Sequence, residues 1–126
     1  MTISREYELD ALKRIGRIVA RTLRAMQEAA EPGMTTRELD NIGARLLEQE
    51  GARSAPQLTY DFPGATCISI FPEIAHGIPG EQVMREGQLI NIDVSAEKDG
   101  FFADTGASFV LRQGDASLKK LCRDGR

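Results

Sequence analysis

The stretch from Leu89 to Leu111 constrains the fold more than any other part of the chain. LINIDVS alternates Ile90, Ile92 and Val94 with Asn91, Asp93 and Ser95, the two-residue period of a strand with one buried and one open face. FFADTGASFVL is rich in β-formers, and Glu97-Lys98-Asp99-Gly100 between the two segments is a turn signal, so an antiparallel hairpin is expected. A lone hairpin is marginal in water, and its apolar face needs a cover.

Two upstream segments carry a helical period instead. From Ser4 to about Ala30 the residues Leu12, Ile15, Val19, Leu23, Met26 and Ala30 recur every three or four positions. That spacing predicts a helix with Ser4 as N-cap, Glu6 in its first turn and Glu31-Pro32-Gly33 as its stop. A second helix is expected from Thr35, where Thr35 and Glu38 stand at capping-box spacing and Met34 and Leu39 at hydrophobic-staple spacing. Leu39, Ile42, Leu46 and Leu47 form its stripe, and Gly51 follows its end. Thr66–Ile70, TCISI, predicts a further strand, and a third helical pattern opens at Ala116–Cys122. The expected class is α+β in a single unit over 1–126, two N-terminal helices plus a small antiparallel sheet.

Composition narrows the chemistry. Hydrophobic residues make up 41% of the chain and the net charge is only −3, which excludes a disordered chain. No run of 18 apolar residues occurs, so no membrane-spanning helix is expected. The start, MTISREYELDALKR, has no apolar stretch behind a basic opening, and a cytoplasmic location is the default expectation. Cys67 and Cys122 form neither a disulfide framework nor a zinc ribbon. With one histidine, His76, chemistries needing two within these residues are excluded. Gly106-Ala107-Ser108-Phe109-Val110 ends in Val where a nucleophile elbow needs glycine, and no phosphate-binding P-loop occurs.

Asp93 and Asp104 are the informative pair. If the hairpin turns at Lys98-Asp99, Asp93 lies opposite Asp104; if it turns at Asp99-Gly100, Asp104 faces Ser95 and lies diagonal to Asp93. Either register leaves the carboxylates on one face, within roughly 4.5–8 Å, among Asn91, Ser95, Gly106 and Ser108. Adjacent like charges on a strand pair are unfavourable, and a divalent cation is a natural partner for hard carboxylate oxygens. A solvated sheet surface and a proton-sharing dyad are the alternatives. His76 lies in His76-Gly77-Ile78-Pro79-Gly80, a stiff loop signal suited either to presenting an imidazole to substrate or to a structural hydrogen bond. Arg14, Arg17, Arg21 and Arg24 share one face of the first helix, either a solvated face or a salt-sensitive contact with an anionic surface such as ribosomal RNA.

Taken together, CISI and EIAHGIPG from Cys67 to Gly80, then GQLINIDVSAEKDGFFADTGASF from Gly87, resemble the type I methionine aminopeptidases of the pita-bread metallopeptidase family. Tyr60-Asp61-Phe62-Pro63 and the two helices fit the same family, so the resemblance covers the whole chain. It implies a half of the pita-bread fold, with Asp93 and Asp104 as metal ligands, the second bridging two divalent ions (cobalt, manganese, iron or zinc). It implies that His76 contacts substrate and stabilises the reacting peptide bond, while Cys67 and Phe62 lie near the pocket for the methionine side chain. The implied reaction removes the initiator methionine from nascent polypeptides by attack of a metal-bound hydroxide on the peptide carbonyl.

The chain departs from the family pattern at Phe71-Pro72, Gln88 and Ala103. No residues here match the second half of the family, where one histidine and two glutamates complete the metal site. The 126 residues alone are therefore expected to be inactive, with an exposed apolar sheet edge and face that favours association. The complete enzyme is expected to be a monomer. A pseudo-peptidase binding module and a self-associating half-fold are the competing readings.

Overall fold

A computed structural model describes residues 2–71 and 77–112. Among them are three helices, α1 (Thr2–Ala29), α2 (Thr36–Gln49) and α3 (Ala55–Tyr60), and four strands, β1 (Arg53–Ser54), β2 (Cys67–Phe71), β3 (Leu89–Lys98) and β4 (Phe101–Val110). The α+β expectation holds. The third helical pattern at Ala116–Cys122 lies outside the described residues.

Strand β3 is the spine of an antiparallel sheet. Strand β4 pairs along its whole length on one side; β2 and β1 pair with different stretches on the other, Cys67 opposite Asp93 and Arg53 opposite Glu97. The hairpin turns at Asp99-Gly100, with φ of 55° and 86°. Both residues are left-handed, the geometry whose twist matches that of the flanking strands. That turn selects the diagonal register: Asp93 faces Gly106 and Ser95 faces Asp104.

The alternation of β3 separates two environments. Ile90, Ile92, Val94 and Ala96 are fully buried, beneath Ile15, Ile18, Val19 and Met26 of α1 and Leu39 and Leu47 of α2. The opposite face carries Asn91, Asp93 and Ser95, which are partly or fully open, with Pro56 of α3 at its side. Its polar centre is rimmed by Phe71, Leu89, Phe102 and Val110, all exposed.

Three local expectations shift. Helix α1 begins at Thr2, so Ser4 lies inside it rather than capping it; no glycine or proline stops the helix there. Leu12 is exposed, because Ala11, Ile15, Ile18 and Thr22 take the core-facing side of those turns. Strand β2 starts one residue late, since Thr66 gives both its N–H and its hydroxyl to Asp40. The capping box of α2 forms as expected, with Thr35 and Glu38 each accepting from the other's backbone N–H.

Beside the turn, Glu97 is buried; Arg53 Nε donates to Oε1 at 3.0 Å and the Gly100 N–H to Oε2 at 2.6 Å. The Arg53 hydrogen bond, seconded by that of Gly100, holds the Glu97 carboxyl below its ordinary value of 4.5. A carboxyl depressed by folding stabilises the native state above its unfolded pKa and loses that contribution as pH falls through the folded one. Glu97→Gln should therefore lower the melting temperature at neutral pH, with the gap to wild type closing in melts taken progressively below pH 4.5.

Candidate metal centre

The open face brings Cys67, Asp93 and Asp104 together. They line one shallow cavity of about 370 Å³ with Pro56, Val94, Ser95, Thr105 and Gly106. Three strands contribute: Cys67 opens β2, Asp93 sits in the middle of β3, and Asp104 lies diagonally across on β4. Diagonal neighbours on a strand pair stand roughly 7–8 Å apart, their Cβ atoms somewhat closer, within reach of one another's side chains. No lysine or arginine lines the cavity.

Asn91 orients Asp93. Its Nδ2 donates to Asp93 Oδ2 at 3.1 Å, and its own Oδ1 accepts from Ser108 Oγ at 2.9 Å. One carboxylate oxygen is thereby held from the side along the strand. Gly106 makes room for the other: a Cβ there would run into Asp93 Oδ1 and lie 3.3 Å from the Ile92 carbonyl oxygen. Two exposed carboxylates, hard oxygen donors with no cationic side chain on the cavity wall, fit a divalent cation. Among the described residues no three His, Cys, Asp or Glu side chains are placed to hold a metal ion together, so the two carboxylates are an incomplete coordination set.

Cys67 is half-buried. Burial, then the negative charges of Asp93 and Asp40, push its thiol above the ordinary value of 9.0. Phe62 is half-buried behind α3, its N–H donating to the Pro56 carbonyl at 3.3 Å, and it does not line the cavity. His76 lies outside the described residues. The arginines at 14, 17, 21 and 24 are exposed on α1, where Arg21 pairs with Glu50, the C-cap of α2, at 3.2 Å.

Sequence reasoning missed two contributors. Pro56 reaches the cavity from α3, a helix of six residues too short for a periodic signal. Asp40 reads as an ordinary polar residue of α2, yet it is buried and holds the approach to β2.

Residues 10–125 match the family model for metallopeptidase family M24. The chain is 52% identical over 124 residues to methionine aminopeptidase 2 of Bacillus subtilis (strain 168), covering 98% of this chain and 50% of that protein. It is 55% identical over 123 residues to a methionine aminopeptidase of Staphylococcus epidermidis, covering 97% and 49%. Among solved structures, the methionine aminopeptidase of Rickettsia prowazekii superposes with a TM-score of 0.78 at 29% identity, over 92% of this chain and 47% of that one. That of Thermotoga maritima gives 0.78 at 26% identity, over 93% and 47%. The chain spans about half the length of the curated relatives it matches.

Proposed function

Given that the chain belongs to metallopeptidase family M24 and folds as one half of the pita-bread architecture, we propose that it supplies the N-terminal half of a metal-dependent methionine aminopeptidase acting on nascent peptide N-termini. The observation that carries this reading is the placement of Asp93 and Asp104, with Cys67, around one cavity on the polar face of the sheet.

In this reading Asp93 and Asp104 hold two divalent ions, of cobalt, manganese, iron or zinc. When bound, such ions supply Lewis acidity toward the peptide carbonyl and make water more acidic. The chain's own residues do the rest of what this half contributes. Asn91 fixes the Asp93 carboxylate, and Gly106 leaves space for it. Cys67 borders the methionine side chain from the cavity wall, and Phe62, outside that cavity, belongs to the pocket's surroundings. His76 contacts the substrate and stabilises the reacting peptide bond. One histidine and two glutamates from a second half complete the ligand set, and the exposed rim of Phe71, Leu89, Phe102 and Val110 suits a face that this half closes over.

The test is reconstitution. Joined to the second half of the Bacillus relative and supplied with cobalt or manganese, the chain should release methionine from a Met-Ala-Ser peptide, while residues 1–126 alone should not. A joined protein that folds and binds metal but leaves the peptide intact would overturn the reading. So would equal turnover by the 126-residue chain.

A further inference from the structure

Asp40 has no part in the cavity wall, yet the residues that lead directly into Cys67 are tied to it. It is 6% exposed in the second turn of α2. Its Oδ2 accepts the Ala65 N–H at 3.0 Å; its Oδ1 accepts the Thr66 N–H at 2.7 Å and the Thr66 hydroxyl at 2.6 Å. Charge-assisted bonds of this length are the strong ones, and Ala65 and Thr66 are themselves buried. Cys67 follows directly.

The same turns of α2 hold a second segment. Thr36 Oγ1 accepts the Gly80 N–H at 2.8 Å, and the Arg37 N–H donates to the Gly80 carbonyl at 2.9 Å. The segments also meet each other. A Cβ on Gly64 would stand 2.7 Å from Pro79 Cδ and 3.3 Å from Asp40 Oδ2. The Ile68 N–H donates to the Gly77 carbonyl at 3.0 Å, and a Cβ on Gly77 would lie 3.3 Å from that of Cys67. The start of β2 and residues 77–80 are thus one packed layer, bonded from behind by α2.

We propose that Asp40 is a positioning residue for substrate binding: through Ala65 and Thr66 it sets where Cys67 stands at the cavity, with the 77–80 segment packed beside that strand start. The substrate role rests on the aminopeptidase reading; the positioning of Cys67 does not.

The experiment uses the 126-residue chain with Cys122→Ser, so that Cys67 is the one thiol. In Asp40→Asn the Ala65 N–H meets an amide where it met a carboxylate oxygen. Exchange of the Ala65 and Thr66 amides should quicken about tenfold or more. Alkylation of Cys67 by iodoacetamide at neutral pH should quicken with it, while the amides of Ile15 and Ile92 change far less. Thr66→Val removes one bond, keeps the buried shape and the Asp40 charge, and should move the same readouts in the same direction by less; it decides the matter if Asp40→Asn does not fold. Unchanged local amides and thiol would overturn the proposal, as would equal quickening at Ile15 and Ile92, which is the mark of a purely global stability effect. In the joined enzyme Asp40→Asn should raise KM with kcat nearly kept, and a fall in kcat alone would count against it. An inactive joined enzyme would sink the aminopeptidase reading and leave exchange and alkylation to judge the positioning.

Discussion

Gly106→Ala should silence the metal site while leaving the fold standing. Gly106 lies on the exposed face of β4, directly across from Asp93, and its own backbone needs no left-handed angle. Alanine is therefore acceptable to the strand itself. The methyl group instead occupies the place of Asp93 Oδ1, and the Ile92 carbonyl oxygen behind it, being backbone, cannot swing away. Asp93 must leave its position, breaking the bond from Asn91 Nδ2. Losing a partner that orients a metal ligand typically costs about 10–100-fold in metal affinity or activity. Displacing the ligand should cost at least that. The measurement is cobalt titration and peptide turnover by the joined enzyme, beside its thermal melt. A melt lowered as far as by a core substitution, or metal affinity within about twofold of wild type, would contradict the account.

The parts of this arrangement differ in how far the sequence announces them. The hairpin is legible because β3 alternates from Ile90 to Ser95 and Glu97-Lys98-Asp99-Gly100 is a turn signal; only the register needed the backbone angles to decide between two options. The capping box makes the start of α2 equally plain. Asp40 is opaque for a physical reason. Its partners, Ala65 and Thr66, lie 25 and 26 residues away, and nothing local marks a carboxylate that will be buried by a loop from another part of the fold. Strand β1 and helix α3 are too short to carry a period; they exist because β3 offers a free edge at Ala96 and Glu97, and because Ser54 both caps α3 and donates to the Ala65 carbonyl at 2.8 Å. The pairing of Asp93 with a bare glycine was visible as two residues on one face, whereas the collision that makes glycine necessary there belongs to the third dimension.

Neighbouring residues on β3 should respond to truncation in opposite ways. Ile92 is fully buried at the middle of the spine strand, between Ile68 of β2 and Ala107 of β4 and in the core cluster shared with α1. Ile92→Ala removes three carbons from a close-packed interior and should cost about 2–5 kcal/mol. Against a total of roughly 5–15 kcal/mol for a domain, that is a large fraction, and a denaturant titration should show the midpoint falling steeply. Asp93, one residue on, points to the open face, and its removal takes away no buried contact. It relieves a like-charge neighbour across the hairpin, an effect of about 0.2–1 kcal/mol. In chelator, Asp93→Ala should therefore melt at the wild-type temperature or slightly above it. Adding cobalt to the joined enzyme should reverse the order, because an ion bound only by the native state raises wild-type stability by mass action and finds a ligand missing in the variant. Equal losses from Ile92→Ala and Asp93→Ala in chelator would mean that the carboxylate is a structural group of the sheet. A crossing of the two melting curves on addition of metal would mark its charge as held in place for a cation.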